Sequence, residues 1–337
     1  MITLRVEGIL MNFRIVLALA GLVLSAPAAA AEGVDPLTAE VRSEDARRFV
    51  AVFEAADGAP TAEALQAGYL DGAGRGVEIF TPNRIISAEN LAARIAADPE
   101  AYRRAIDVCL PIAEASSADL RSIYLGLQSV FPDRPLPEIH VVFGAGNSGG
   151  TAGPDAQVLG LEVICEVAET PEDARTYFRH FFAHETVHVL QMQTGLEGEF
   201  ADPLLGYSMA EGMADFIAML VTGTVPDADK DSWAREREAE LWRRFDADRT
   251  TIRSALEAGA DLNEPPPEVA EAYGRWLANF RRAPEGWPHE AGYWVGRRIA
   301  QAYFDRAEDK RAAIDTLLRL EGPEAILAAS GYADRFE

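Results

Sequence analysis

The chain has 337 residues, of which 31 are basic and 54 are acidic, and its formal net charge is −23. A net charge of this sign and size argues against nucleic acids and anionic membranes as partners, because both are themselves negatively charged. The length is sufficient for a large hydrophobic core in one or two closely packed domains.

The N-terminal segment 1–31 has the pattern of a secretory signal peptide. An apolar run over residues 15–24 follows a short positive segment, and Ala29-x-Ala31 fits a cleavage site. The residues before Met11 fit this pattern poorly, which favours Met11 as the true start. The apolar run is too short to cross a membrane, and no later segment reaches that length. We therefore expect a secreted or periplasmic protein with a cleaved signal peptide and no stable membrane anchor.

The rest of the chain is predicted to be mostly helical. We expect a helical N-terminal region over residues 32–135 and a core with a helical C-terminal region over residues 136–337. In the first region, apolar residues at helical spacing predict helices over residues 43–55, 61–67, 88–97, 100–116 and 118–130.

Two cysteines, Cys109 and Cys165, are present in the chain. In an exported protein they could form one disulfide, worth about 4 kcal/mol on chain-entropy grounds. The alternative is a pair of buried free thiols that behave as small hydrophobic side chains. Their spacing does not suggest zinc binding or thiol catalysis.

Two strands are predicted on either side of a glycine-rich stretch. β-Branched and aromatic residues predict one strand over residues 139–143 and a second over residues 158–164. The stretch between them, residues 144–149, formally matches the dinucleotide pattern G-x-G-x-x-G. A dinucleotide site needs a helix to begin there, whereas further glycines lead here into the second strand. We therefore expect a hairpin or loop and a small antiparallel sheet, and no nucleotide site.

The segment His-Glu-Thr-Val-His at residues 184–188 matches H-E-x-x-H, the zinc-site signature of metallopeptidases. His184 and His188 are four residues apart on a predicted helix, so both imidazoles face one side and can bind one metal ion. Glu185 borders the same face, where it can accept a proton from water that the metal activates. The pattern therefore predicts a zinc site with a general base beside it.

The helix that carries this motif should begin at a capping box at Thr170 and end before Gly195. It is so apolar that it should be buried, and unpaired histidines inside it would be costly. The alternative to a metal is a pair of hydrogen-bonded core histidines. His180, one turn earlier, could supply a further ligand. A supporting or surface role fits better, because a third ligand from that turn would leave the motif glutamate without a clear role.

A catalytic zinc needs a third protein ligand besides the two histidines. The metzincin pattern is excluded, because Gln191 and Thr194 occupy the positions where it requires glycine and histidine. The best candidate is Glu211, which should return to the histidines after a loop over residues 195–207. Asp215, one turn later, could accept the second ring N–H of a ligating histidine.

Two alternatives remain open for these residues. Ser208 and Glu211 have the spacing of a capping box, so Glu211 could cap its own helix instead of binding a metal. Asp215 is the alternative third ligand.

The pairing of H-E-x-x-H with Glu-Gly-x-Ala-Asp at residues 211–215 resembles the gluzincins, the thermolysin-like zinc peptidases. In that family the third ligand is a glutamate, and an aspartate one turn later supports a histidine. The resemblance also implies a strand before the zinc helix that pairs with extended peptide. More narrowly, the chain is similar to a bacterial family of predicted zinc-dependent proteases of unknown function, through the patterns at residues 69–80, 292–298 and 330–332.

The C-terminal third is predicted to form helices over residues 230–246, 250–257, 268–280, 290–307 and 310–320. Zinc peptidases stabilise the tetrahedral oxyanion with the metal and usually with a Tyr or His donor. Tyr293 and His289 are the candidates here, although Tyr293 could instead be a core residue with a satisfied hydroxyl. Arg297 and Arg298 could hold a substrate carboxylate, but surface ion pairs are the simpler interpretation.

Taken together, the residues predict a predominantly helical α+β zinc metallopeptidase. His184, His188 and Glu211 would hold Zn²⁺, Glu185 would be the general base, and Tyr293 would assist. A peptide or protein is the expected substrate, and the oligomeric state cannot be predicted. The alternatives are a non-catalytic zinc-stabilised binding module and a hydrolase of a non-peptide amide.

Overall fold

The computed structural model describes residues 33–196 and 200–336. The predicted signal peptide and its cleavage site lie outside these residues. The described chain divides into two compact units. The N-terminal unit contains residues 33–196 and 214–226, and the C-terminal unit contains residues 200–213 and 227–336.

Helices dominate the N-terminal unit, and several of them match the predicted ranges closely. The predictions over 43–55, 88–97 and 118–130 are confirmed to within a residue or two. Three π-helical turns interrupt or extend helices, at Gln66–Leu70, Thr81–Ile85 and Ala105–Cys109. The helices are α1 (Glu44–Ala55), α2 (Ala62–Leu65), α3 (Arg75–Phe80), α4 (Ala88–Ala97), α5 (Pro99–Arg104), α6 (Leu110–Ala115), α7 (Ser117–Val130), α8 (Leu161–Val167) and α9 (Pro171–Gln193).

One four-stranded sheet lies in the N-terminal unit, with strand order β1-β2-β4-β3. The helix-rich α+β class is thus confirmed, but the prediction of an antiparallel sheet is wrong. β1 pairs with β2 and β2 pairs with β4 in parallel, and only β3 and β4 are antiparallel. Helices α1 to α7 cross over from β1 to β2, and the glycine-rich loop with β3 leads from β2 to β4, so both pairs run parallel, whereas a short turn joins β3 to β4. The strands are β1 (Val41–Arg42), β2 (Glu138–Val142), β3 (Gly150–Ala152) and β4 (Ala156–Gly160).

The strand predicted over residues 158–164 is only partly correct. β4 ends at Gly160, and α8 begins at Leu161. An apolar run of this length is compatible with a buried strand or a buried helix, and its periodicity does not separate the two. The carboxylate of Glu162, buried in α8, accepts the backbone N–H groups of Gly144 and Gly146 at 2.9 and 3.0 Å. These tertiary bonds stabilise a helix in this position.

A disulfide joins Cys109, at the end of a π-helical turn, to Cys165 in α8. Their Cα atoms are 5.8 Å apart, and 56 positions separate them in the sequence. The bridged alternative is therefore the one that the structure adopts. By limiting the conformations of the unfolded chain, such a bridge contributes about 4 kcal/mol to stability.

Helix α9 begins and ends where the sequence predicts. The Thr170 hydroxyl accepts the N–H of Asp173 at 3.1 Å, and the Asp173 carboxylate accepts the N–H of Thr170 at 2.9 Å, which completes a capping box. The helix ends at Gln193, and Gly195 follows with a φ of 83°, a conformation that glycine adopts without strain. Most of its motif-bearing half is buried.

Helix α10 (Pro203–Thr222) runs unbroken through both units, and its start differs from the prediction. The loop expected over residues 195–207 ends earlier, because Pro203 occupies the first helical position, where proline is tolerated. The helix is therefore long and apolar enough to cross a membrane by length and composition, contrary to the sequence-based expectation. Its most apolar 18-residue window is 72% buried within the protein, as in the core helix of a globular domain.

The C-terminal unit is helical throughout its described residues. The predictions over 290–307 and 310–320 are confirmed, and the final helix was not predicted. Its elements besides the first half of α10 are α11 (Ala228–Arg235), α12 (Glu238–Glu257), α13 (Pro267–Gly274), α14 (Ala291–Arg306), α15 (Lys310–Arg319), α16 (Pro323–Ser330) and a 3-10 turn at Ala333–Arg335.

Three helix predictions in this unit were wrong. The helix predicted over 230–246 is divided in two, because α11 ends at Arg235 and α12 begins at Glu238. The break expected between 246 and 250 is absent, because the hydroxyl groups of Thr250 and Thr251 donate to carbonyls one turn earlier and fit within α12. The helix predicted over 268–280 ends at Gly274. The Asn279 side chain donates to the carbonyls of Gly274 and Arg275, both at 3.0 Å, and thus satisfies the end of α13.

Within the C-terminal unit, α10 and α14 cross at small residues. A Cβ added at Gly296 would overlap the backbone oxygen of Ser208, and one added at Gly212 would overlap the backbone of Gly296. The helices can approach this closely only because neither glycine has a side chain. The glycines at 212, 292 and 296, which belong to the patterns of the family resemblance, therefore fix the first half of α10 against α14.

We predict that Gly296→Ala lowers the free energy of unfolding by about 1–3 kcal/mol or more, because a methyl group would push two backbones apart. Gly274→Ala is the matched control, since a Cβ there meets nothing within 4 Å. It should be neutral or raise stability by about 0.4–1 kcal/mol. Urea unfolding of both variants measures the difference, and equal effects would contradict the close crossing.

Candidate metal centre

Helix α9 carries three side chains of the predicted site in its buried half. His184 is 5% exposed and Glu185 is 7% exposed, and His188 is partly buried one turn later. The helical spacing places the two imidazoles side by side, with ring centroids 4.7 Å apart. Buried polar side chains need hydrogen-bond partners, so the contacts of these three side chains indicate which of their atoms can bind a ligand.

The two histidines direct their Nε2 atoms towards each other. His184 Nδ1 lies 2.9 Å from Asp215 Oδ1, and His188 Nδ1 lies 2.7 Å from Gln191 Oε1. Carboxylate and amide oxygens accept hydrogen bonds, so each Nδ1 is the donor, and the Nε2 atom of a neutral ring then has a lone pair. The two Nε2 atoms are 3.0 Å apart.

This geometry fits a metal ion. Two nitrogens bound to tetrahedral zinc at about 2.0–2.1 Å lie about 3.3 Å apart. The 3.0 Å separation is close to that value. Two lone pairs at this distance repel each other, so the arrangement requires either a cation or a proton between the two nitrogens.

Glu211 lies near these nitrogens. One ligand atom from each of His184, His188 and Glu211 can be chosen so that all three lie within 4.8 Å of one another. Glu211 is one helical turn before Asp215 on α10, which places the two carboxylates on the same face. These three residues form one of the two groups of side chains in the described chain that could hold a metal ion.

The alternative that Glu211 caps its own helix is wrong. Ser208, the required cap residue, is not at a helix start, because α10 begins at Pro203. The Ser208 hydroxyl is buried and makes no hydrogen bond within the described part of the chain. Glu211 therefore lies well inside α10, where a cap has no function.

A second group of possible ligands contains His180, His184 and Asp215. Asp215 Oδ1 lies 2.9 Å from His184 Nδ1 and 3.5 Å from His180 Nε2, so one carboxylate oxygen faces both rings. A metal in this group would have to replace the hydrogen bond between His184 and Asp215. The first group keeps that bond and uses the nitrogens already directed at each other, so it is the better site. His180 then supports Asp215 from outside.

Glu185 lies against the edge strand of the sheet. A Cβ added at Gly150, in β3, would be 2.6 Å from Glu185 Oε1. The glycine therefore allows the β3 backbone to reach the carboxylate, which a larger residue would displace. Because β3 pairs only with β4, its other edge is not used by the sheet. The general-base candidate is thus next to a strand edge.

Buried polar groups hold the glycine-rich stretch that leads to this strand. The Tyr69 hydroxyl donates to the carbonyl of Phe143 at 2.8 Å and accepts its N–H at 3.0 Å. Tyr102 donates to the carbonyl of Gly144 at 2.8 Å. Burial raises the pKa of both tyrosines well above the usual value, so both remain neutral donors. The stretch is a supported loop that leads into β3 and not into a helix, which agrees with the rejection of a dinucleotide site.

The candidates for an oxyanion donor lie around the start of α14, in the C-terminal unit. Tyr293 is in the first turn of α14, and the Lys230 ammonium lies 6.0 Å from its ring centroid. His289 precedes α14 and packs edge-on against Phe280 at 5.3 Å. Burial lowers the pKa of His289, and the positive charge of Lys230 lowers it further. The role of either residue stays a prediction.

Arg297 and Arg298 both pair with carboxylates of the same chain. Arg297 is buried and contacts Asp231, which also accepts the indole N–H of Trp294 at 2.9 Å. Arg298 donates to Glu238 at 2.9 Å. Ion pairing is therefore the observed role, although for Arg297 it is a buried pair and not a surface pair.

Two tyrosines near Glu211 were missed by the sequence analysis. Tyr207 is one turn before Glu211 on α10, and the Tyr273 ring packs edge-on against it with centroids 6.5 Å apart. Burial raises the pKa of Tyr273, and the neighbouring Tyr207 and the charge of Glu211 raise it further. Tyr207 was assigned to a loop, so its helical spacing from Glu211 could not be recognised.

Comparison with known proteins identifies no relative: no family model, curated protein or solved structure matches this chain. The function must therefore be argued from the chemistry and geometry of the site.

We predict that Asp215→Ala lowers zinc affinity by about 10–100-fold without changing the stoichiometry, because the aspartate orients His184 but does not bind the metal. Competition against a chromophoric chelator measures both quantities. Complete loss of zinc binding in a folded Asp215→Ala protein would instead identify Asp215 as a ligand.

Proposed function

We propose that this protein is a zinc-dependent hydrolase of peptide bonds. The observation that carries the proposal is the pair of histidine Nε2 atoms, 3.0 Å apart, grouped with the carboxylate of Glu211. Two nitrogens and one carboxylate are the ligands of an open catalytic zinc site, whereas structural sites usually have four protein ligands.

The proposed roles follow from the positions of the side chains. His184, His188 and Glu211 would hold Zn²⁺, which supplies a Lewis acid that polarises a carbonyl group and lowers the pKa of water. Glu185 accepts the proton of the attacking water and delivers it to the leaving amine nitrogen. Asp215 and Gln191 keep the two histidines oriented. Tyr293 is proposed as an additional donor to the developing oxyanion.

A peptide substrate is favoured over other amides by the strand edge beside Glu185. The edge of β3 that does not pair with β4 offers backbone N–H and C=O groups with which an extended chain could pair as an additional strand. Gly150 removes the side chain that would otherwise separate this edge from the Glu185 carboxylate. A peptide bound in this way would run past the general base, as the resemblance to gluzincins implies.

Export to the periplasm or the extracellular space is part of the proposal. The disulfide between Cys109 and Cys165 supports it, because such bonds persist mainly in oxidising compartments. The signal-peptide pattern at the N-terminus supports it independently.

We predict that Glu185→Gln retains zinc and hydrolyses a peptide library about 10²–10⁴-fold more slowly than the wild type, because the amide cannot accept the proton. Glu172→Gln is the matched control, since Glu172 is exposed in the first turn of the same helix. Mass spectrometry of library cleavage measures activity, and metal analysis measures zinc. Full activity of Glu185→Gln would refute the mechanism, and zinc bound without any hydrolysis by the wild type would favour a binding module.

We predict that Glu211→Ala loses most of its zinc affinity, because two histidines alone leave the metal with incomplete protein coordination. The same chelator competition measures the loss, and circular dichroism checks that the helices remain. Wild-type affinity in this variant would remove Glu211 from the ligand set.

A further inference from the structure

We propose that Gln191 is a positioning residue that selects the metal-binding tautomer of His188. This inference rests on the metal centre of the proposed function and extends it to a residue whose side chain contacts the proposed ligand His188. Gln191 is three residues after His188 on α9, so its side chain can reach back along the same face.

The geometry of the contact is specific. Gln191 is 3% exposed, and its Oε1 lies 2.7 Å from His188 Nδ1. An amide oxygen only accepts, so His188 must carry its proton on Nδ1. Its Nε2 then presents a lone pair towards His184 Nε2. The opposite tautomer would lose a buried hydrogen bond and would place an N–H where the metal should bind.

The end of α9 holds Gln191 in place. Its backbone carbonyl accepts the Thr194 hydroxyl at 2.6 Å and the Thr194 N–H at 3.0 Å. It also accepts the N–H of Leu196 at 3.4 Å, and Gly195 takes the positive φ that this turn requires. The helix end therefore fixes the backbone from which the amide reaches His188.

The two histidines receive unequal support. His184 donates to the carboxylate of Asp215, whereas His188 donates to a neutral amide. A carboxylate acceptor raises the basicity of a ligating imidazole more than an amide does. Gln191 thus provides orientation while adding no negative charge, so the charge of a bound cation is offset mainly by Glu211 and Asp215. A carboxylate at position 191 should hold the metal at least as tightly.

Three variants test this role. Gln191→Leu removes the acceptor with little change in volume, and Gln191→Glu restores an acceptor oxygen. Gln193→Leu is the matched control, because Gln193 is two residues further along α9 and donates to the Pro135 carbonyl at 3.1 Å instead. If Gln191→Leu does not fold, Gln191→Met provides a second variant without the acceptor.

The first measurement uses the metal-free protein and detects the proton on His188 Nδ1 directly. Nitrogen-15 NMR of the imidazoles should show the Nδ1–H tautomer of His188 in the wild type, in Gln191→Glu and in Gln193→Leu. In Gln191→Leu, most molecules should no longer have this tautomer. An unchanged tautomer in Gln191→Leu would overturn the proposal.

The second measurement is zinc affinity by chelator competition. We expect a loss of about 10–100-fold in Gln191→Leu, recovery in Gln191→Glu and no change in Gln193→Leu. Wild-type affinity in Gln191→Leu would overturn the positioning role. If the wild type itself bound no zinc, the proposed function would fail, whereas the tautomer measurement would still decide whether Gln191 controls His188.

Discussion

The approach of two imidazole nitrogens to 3.0 Å is the constraint on which the rest of the site depends. Two lone pairs do not stay this close in a buried helix without a cation or a proton between them. Each ring is held in this orientation by an oxygen acceptor on its other nitrogen, Asp215 for His184 and Gln191 for His188. In the proposed metal centre these supporting hydrogen bonds would orient the ligands before a metal binds.

The surrounding fold fixes each part of the proposed centre within its own unit. A capping box fixes the start of α9 and a glycine turn fixes its end, so the histidines and the glutamate of the motif share one rigid helix. Glycines at the crossing of α10 and α14 fix the half of α10 that carries Glu211. In the N-terminal unit, buried tyrosines hold the glycine-rich loop that leads to β3, and Gly150 lets this strand reach Glu185. Each of these elements thus positions a side chain of the proposed centre in addition to stabilising the fold.

The features that the sequence predicted correctly are those with local causes. The capping box at Thr170 and the spacing of His184 and His188 lie within one helix, so they could be recognised without tertiary information. The errors have non-local causes: Pro203 starts a helix that was expected to begin after a loop, and residues 161–164 form a helix because Glu162 binds two backbone N–H groups far along the chain. Gln191 was noted only for excluding another zinc-site pattern, since its contact with His188 depends on a rotamer that spacing alone does not specify.

X-ray absorption at the zinc edge of the zinc-loaded wild type tests the central claim most directly. We predict one zinc per chain with nitrogen and oxygen ligands at about 2.0–2.1 Å, including two imidazoles and at least one carboxylate oxygen. The absence of stoichiometric zinc from the protein would contradict the proposed metal centre. Three imidazoles in the spectrum would contradict the assignment of ligands, because a third histidine would then take the place of the proposed Glu211.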